Sequence, residues 1–311
     1  PEKKGVSNKV LLSDLKLLMN GSYRPSHPGS LAHLDPPPLS ASIVGELICA
    51  GLNNNLLAEE LSPSLSFLER KICRWFCEKL GLGNLSGGVA ASGGSLSNLM
   101  ALVMARNIAG LESDPSAVFF ASNDCHVSLS KAVRIMGLRK ESLQKVPTDA
   151  KGKLNISFLA SIFKKLKSEG KKCFAVVATA GTTVRGAVDP LSEIAQFCKK
   201  ENIWLHVDGA IGGVYGLSKC TSELVEGLGS ADSITVNPQK LLGIAKTSSL
   251  LLVANKSHLS STFSTGLPYA EPLTGNDCHG GELGIQGTRS VSYTHLRAHE
   301  TREDRGWRGV G

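Results

Sequence analysis

The stretch "SITVNPQKLLGIAKTSSLLLV", residues 233–253, decides how the chain is read. An apolar run, Ser233 to Val236, stops at Asn237-Pro238. A lysine follows, then Leu-Leu-Gly, then a second apolar run, Ser248–Val253. Both runs have the length and content of buried strands. A lysine between two such strands is either a solvated loop residue or one held at strand ends, where a ligand would bind. The stretch alone leaves both readings open.

Working outward, "VFFAS" (118–122), "CFAVVAT" (173–179) and "IWLHVD" (203–208) are further short apolar runs. Helical patterns lie between the runs, near 95–109, 128–137, 157–168 and 190–200. Strands alternating with helices predict an α/β fold with a mostly parallel sheet covered on both faces. Ligands of such sheets sit at the carboxyl ends of the strands. Thr182, Asp208 and the segment Asn237 to Lys240 fall at those ends. Upstream, residues 1–60 read as loop-rich, because the prolines of "RPSHPGSLAHLDPPPL" (24–39) exclude a regular helix or central strand there. Helices are expected near 41–52 and 62–80, the second opened by Ser62 and Pro63.

A chain of 311 residues with 41% hydrophobic and 20% charged content can bury the core of one large domain. No apolar run is long enough to span a bilayer, and no basic-then-apolar leader is visible. The formal net charge of +7 comes largely from lysine groups such as Lys164, Lys165, Lys167, Lys171 and Lys172. They sit on one expected helix and the loop after it, without interleaved aromatics. That favours a solvated helix face over a nucleic-acid surface. The eight cysteines include no CxxC pair, and Cys73 with Cys77 has no matching second pair. They read as small core residues in a reducing cytoplasm.

Three features fit one chemistry. In "GGVAASGGSLSNLMALVMAR" (87–106), Gly93, Gly94 and Ser95 precede a helix and would leave amides uncovered, either as an anion site or as an ordinary cap. The Gly-Lys-Ser/Thr ending of a P-loop is absent. In "IWLHVDGAIGGVYG" (203–216), Asp208 ends a strand beside Gly209 and Ala210, which suits close approach of a flat ligand. His206 shares the Asp208 face, but a metal pair would lack a third ligand. The third feature is Lys240. Pyridoxal 5'-phosphate needs an anion cradle for its phosphate, a carboxylate for its pyridine nitrogen and a lysine for a Schiff base. Lys240 is thus the expected Schiff-base lysine.

The stretches "HLDPPPL", "ASGGSLSNLMAL", "SNDCHVSLSKAVRIMGL", "ATAGTTVRGAVDPLSEIA", "WLHVDGAIGG", "VNPQK" and "IQGTRSV" appear in this order. In them the chain resembles the group II amino-acid decarboxylases that use pyridoxal phosphate. These include the glutamate, cysteine-sulfinate, aromatic-amino-acid and diaminobutyrate decarboxylases. The resemblance implies an aspartate-aminotransferase-like (fold type I) large domain over 61–291. It implies that segment 1–60 wraps the partner subunit of a homodimer. The implied reaction is α-decarboxylation of an L-amino acid to an amine and carbon dioxide. Another activity on the same scaffold, aminotransferase or lyase, and a catalytically silent subunit are the alternatives.

By the same resemblance Lys240 carries the cofactor and Asp208 pairs with the pyridine nitrogen. His126 stacks on the ring, Thr182 contacts the ring hydroxyl and Ala210 packs against the ring. Gly94, Ser95 and Asn237 hold the phosphate. Gln239 stands where many members have histidine. The tyrosine of the family's mobile loop has no clear counterpart: Tyr269 comes early and His279 lies nearer the place. The segment "SHPGSLAHL" lacks aromatics, which leans toward a small or acidic amino-acid substrate. Residues 292–311 leave the family pattern, resemble translated vector sequence and are expected to be a non-native tail standing where a small C-terminal domain would begin.

Overall fold

The structure, a computed structural model, describes residues 5–30, 34–266 and 279–287. Seven strands form one sheet: β1 (Gly87–Ala91), β2 (Ala117–Ser122), β3 (Leu143–Val146), β4 (Lys172–Thr179), β5 (Trp204–Gly209), β6 (Ser233–Val236) and β7 (Ser249–Val253). Their order across the sheet is β1-β7-β6-β5-β4-β2-β3. The five strands from β3 to β6 pair in parallel, while β7 runs antiparallel to both β6 and β1. The reversal of β7 follows from its connection. Residues 237–248 contain no helix, and a parallel return needs a crossover. The sheet is therefore mostly parallel, as expected, with one reversed strand.

Eight helices accompany the sheet among the described residues: α1 (Asn8–Gly21), α2 (Ser40–Leu52), α3 (Pro63–Lys79), α4 (Gly94–Ile108), α5 (Ser128–Ile135), α6 (Ile156–Ser168), α7 (Leu191–Glu201) and α8 (Ser257–Phe263). Alternate strand residues feed two cores. Phe120, Val176, Leu205 and Ile234 pack with Phe76 of α3, Leu159 of α6 and Ile194 of α7. Phe119, Val177, Trp204 and Leu251 pack with Met100 of α4, Leu129 of α5 and Leu259 of α8. Both faces are covered, which is why the strands read as continuous apolar runs.

The N-terminal segment holds one helix that the sequence pattern did not mark, besides the helix expected near 41–52. Residues 8–21 form a regular helix capped by Ser7, whose side chain accepts the Val10 N–H. Pattern alone does not disclose it, because its apolar residues meet no core: none of α1 is buried. Two strands were also unmarked in the sequence. β1 is built of Gly, Ala and Val, and β3 is a four-residue edge strand carrying Gln144 and Lys145. The lysine group on and after α6 is solvated and partly paired: Lys167 meets Glu201 at 3.5 Å and Lys172 meets Asp114 at 2.8 Å.

Topology brings the chemistry together. Thr179, Asp208 and Thr235 lie side by side in register at the carboxyl ends of β4, β5 and β6. The turn holding Lys240 leaves the same end of β6, and β1 hands the chain to α4 beside it. The small residues after Asp208 are required by packing. A Cβ on Gly212 would stand 2.7 Å from the Ala180 carbonyl oxygen, and one on Gly209 2.9 Å from that of Thr235.

Candidate active site

A cavity of about 430 Å³ opens at this sheet edge. That is within the range of small-molecule sites. Its walls include Gly94, Ser95, His126, Asp208, Ala210, Asn237 and Lys240. Seven of the eight site residues expected from sequence are thus gathered in one place. The eighth, Thr182, is not. It is buried in the loop after β4, where its hydroxyl accepts the Ala187 N–H at 3.1 Å, and its neighbour Thr183 lines the cavity instead. Two adjacent threonines in "AGTT" offered no sequence signal for choosing between them.

The anion cradle is the N-terminus of α4. No side chain caps this helix, whose N-cap is Gly93, and Gly93, Gly94 and Ser95 all line the cavity. Uncovered first-turn amides and the helix dipole favour an anion there. Asn237 faces Gly94 so closely that a Cβ on Gly94 would lie 2.9 Å from its Nδ2. The Asn237 Oδ1 accepts the Ser249 hydroxyl at 2.7 Å, which leaves the Nδ2 amide as the free donor.

Asp208 is 6% exposed and accepts two hydrogen bonds: Asn98 Nδ2 at 2.8 Å and the Ala210 N–H at 3.2 Å. Asn98 was not singled out in the sequence, nor was Thr179. The Thr179 hydroxyl is buried, lines the cavity and has no partner among the described residues. Burial lowers the pKa of Lys240, opposed by the charges of Asp208 and Asp35. Its amine is therefore shifted toward the neutral, nucleophilic form. His206, fully buried behind Asp208, is pushed down to about 4 by burial, against the pull of the Asp208 charge. It is neutral at physiological pH. Its Nε2 faces Asn98 Oδ1 at 3.0 Å, and no group of three His, Cys, Asp or Glu side chains among the described residues could hold a metal.

Gln239 lines the cavity, and its Oε1 accepts the Ser248 N–H at 2.7 Å. His279 does not line it: it is 1% exposed and its Nδ1 accepts the Glu59 N–H at 2.7 Å. Tyr269 and residues 292–311 lie outside the described residues.

An uncapped helix N-terminus, a buried strand-end carboxylate and a half-buried lysine on one cavity define a site for an anionic, nitrogen-bearing carbonyl cofactor. Comparison with known proteins is specific on this point. Residues 3–291 match the pyridoxal-dependent decarboxylase conserved domain, and the chain belongs to that family. It is 33% identical over 267 residues to an aromatic-L-amino-acid decarboxylase of Bacillus atrophaeus, covering 85% of this chain and 55% of that protein. It is 33% identical to the human cysteine sulfinic acid decarboxylase over 82% of this chain and 53% of that one. The crystal structure of mouse CSAD in apo form superposes with a TM-score of 0.90 at 28% identity, covering 97% of this chain and 65% of that one. The chain thus spans about half the length of the curated relatives it matches.

The residues present fit pyridoxal phosphate. Groups of the right chemical types face the cavity: the Asn237 amide and the first α4 amides for a phosphate, the buried Asp208 carboxylate for a protonated ring nitrogen, Lys240 for an aldehyde, and the Thr179 hydroxyl, which has no partner among the described residues, for a further polar contact.

Proposed function

We propose that the protein is a pyridoxal-phosphate-dependent α-decarboxylase of an L-amino acid, releasing carbon dioxide and an amine. The observation that carries this reading is the convergence of Lys240, Asp208 and the α4 N-terminus on one cavity, in a chain of the decarboxylase family. When bound, the cofactor supplies an aldehyde and an electron-accepting ring. Every other role belongs to the chain. Lys240 would hold the cofactor through its aldehyde. Asp208 keeps the ring nitrogen protonated. Gly94, Ser95 and Asn237 hold the phosphate, Ala210 and His126 flank the ring, and Thr183 or Thr179 meets the ring hydroxyl. Gln239 offers a neutral amide where a titrating histidine would handle protons.

The substrate reading is a small or acidic amino acid. Among the described residues no Phe, Tyr or Trp lines the cavity, so nothing there would stack on an aromatic side chain. A homodimer is the proposed assembly, supported by the exposed apolar residues of α1 and α2. The cytoplasm is the proposed compartment, supported by cysteines such as Cys77 and Cys198 that are buried as thiols. No helix among those residues is long and apolar enough to cross a membrane.

The test takes the full-length protein with added pyridoxal phosphate, reduces it with borohydride and maps the peptides. The pyridoxyl group is expected on Lys240, and incubation with amino acids is expected to yield amine and carbon dioxide. Labelling of a different lysine would overturn the site. A keto acid in place of the amine would move the assignment to an aminotransferase.

A further inference from the structure

The chain passes from β1 to the phosphate cradle in two residues. Ala91 is the last paired residue of β1 and Gly94 the first of α4, with Ser92 and Gly93 between them. All four positions from Ser92 to Ser95 line the cavity. Gly93 and Gly94 have no Cβ to narrow their backbone freedom. A crossing with two glycines is only as well defined as its anchors.

β1 is an edge strand, so one row of its backbone groups faces no other strand. Two side-chain oxygens occupy that row. Glu69 Oε1 accepts the Ala90 N–H at 3.2 Å, and Gln286 Oε1 accepts the Ser92 N–H at 2.9 Å. Residues two apart present their N–H groups on the same edge, so the two acceptors stand in line where a further strand would pair. The donor at Ser92 is a backbone N–H. The atom of Gln286 facing it is therefore the oxygen and not the amide nitrogen.

Gln286 reaches the cradle from a segment that is itself fixed. Within residues 279–287, His279 Nδ1 accepts the Glu59 N–H at 2.7 Å. The Glu282 carboxylate accepts the Thr265 N–H at 3.1 Å, the Thr265 hydroxyl at 3.0 Å and the Ser264 hydroxyl. Gly284 lies so close to α4 that a Cβ there would stand 2.5 Å from Met100 Cε.

We infer that Gln286 is a positioning residue for the cofactor phosphate: by holding Ser92 it fixes the turn on which the Gly94 and Ser95 amides are presented. The inference rests on the reading of the α4 N-terminus as the phosphate site. Ser92 is exposed, so water would satisfy its N–H equally well, but water would not hold it in place. The role is one of order rather than of burial, and among the cofactor's groups it belongs to the phosphate alone.

The experiment compares full-length protein with Gln286→Met, which keeps the length without the acceptor, and Gln286→Asn, which keeps the amide one methylene short. Hydrogen exchange on cofactor-free protein, resolved by residue, reports the Ser92 N–H. Protection is expected in the unsubstituted protein and its loss in both variants, with the α4 interior from Leu99 to Ala105 unchanged. Absorbance titration with pyridoxal 5'-phosphate and with pyridoxal, which lacks the phosphate, gives the ratio of the two affinities. Both compounds meet Lys240, so the ratio isolates the phosphate. It is expected to fall roughly three- to tenfold in each variant, the worth of one net hydrogen bond, with Tm unchanged. Fast Ser92 exchange in the unsubstituted protein overturns the inference without any cofactor. A constant ratio alongside lost protection overturns it too, since the bond then only covers a strand edge. Equal losses for the two compounds with a lower Tm mark a packing role and have the same effect. If the unsubstituted protein binds neither compound, the proposed function fails and takes this inference with it. A failure confined to the ratio in the variants leaves the proposed function standing.

Discussion

At the scale of single residues, Asp208 and Lys240 make a pair whose charges work against burial. Burial pushes the Lys240 amine toward neutrality and the Asp208 charge resists it. Asp208→Asn removes that resistance, so the Lys240 pKa should fall further. The pH midpoint of borohydride-trapped pyridoxylation is expected to move down, and an upward or absent shift would contradict the pairing. Under the proposed function the same substitution removes the charge that would hold a ring nitrogen protonated. Turnover should drop by about 3 kcal/mol of transition-state stabilisation, the scale of one preorganised electrostatic partner, in protein that still binds cofactor. Near-normal turnover would rule out the role. Much at this scale was legible: a lysine after Asn-Pro at a strand end and an acid before Gly-Ala carry their own signal. Asn98 was not, because an asparagine inside "SLSNLMAL" reads as an ordinary helix residue until the fold shows what it touches. Thr183 was missed for a different reason. The turn after β4 buries Thr182 and leaves Thr183 exposed at the cavity, and only the tertiary path of the loop decides which does which.

At the scale of elements, the start of α4 is shaped to leave room. Gly94→Ala would set a Cβ 2.9 Å from the Asn237 amide nitrogen and 3.0 Å from its oxygen, in a side chain pinned by Ser249. Alanine also favours a helix over glycine by up to about 1 kcal/mol. The expected result is weaker cofactor retention, seen as a raised Kd in absorbance titration, with thermal stability unchanged or slightly higher. Gly88→Ala is the contrast. Its Cβ would meet the Leu251 carbonyl oxygen at 2.6 Å, inside the β1–β7 ladder. That change should lower Tm and leave cofactor affinity per folded molecule alone. If both variants lose stability equally, the special status of the α4 cradle falls. Elements divided by legibility along the same physical line. β4, β5 and β6 are buried on both faces and announce themselves as apolar runs. β1 is held by close approach of small residues, and the direction of β7 depends on what its connection lacks, so neither leaves a pattern in composition.

At the scale of the whole molecule, two buried groups pull stability in opposite directions as pH changes. His206 has its pKa pushed from the ordinary 6.5 to about 4 by burial. The unfolded chain binds that proton first, so its contribution is full above pH 6.5 and is lost as pH falls toward 4. Asp189, the buried acceptor of the Leu154 and Thr179 N–H groups, is raised from 3.8 to about 6, again by burial. The folded state keeps that proton longer, so its contribution is full below pH 3.8 and is lost as pH rises through 6. Between about 4 and 6 the two slopes oppose, each up to about 1.4 kcal/mol per pH unit. Asp189→Asn removes one of them. The stability of the unsubstituted protein minus that of the variant should decline as pH rises from 4 to 6, measured by denaturant unfolding at each pH. A flat difference would show that Asp189 titrates normally in the fold.

The apolar surface is the other whole-molecule property. On α1, Leu12 is 60% exposed, Leu17 70% and Met19 68%; on α2, Leu47 is 73% exposed. Seven apolar side chains of α1 and five of α2 stand in solvent on a single chain, more than the scattered apolar exposure normal for a protein surface. Both helices precede the sheet in sequence, and α1 buries nothing against it, so their apolar content is unaccounted for by the chain's own core. A second copy of the chain is the occupant proposed. Leu47→Glu with Leu17→Glu would put two charges into such an interface, where a buried unpaired charge costs several kcal/mol. On an isolated chain the same positions are already wet and would change stability little. Light scattering coupled to gel filtration is expected to show a dimer for the full-length protein and a monomer for the double variant. A dimer that survives both charges would place the subunit contact elsewhere on the molecule.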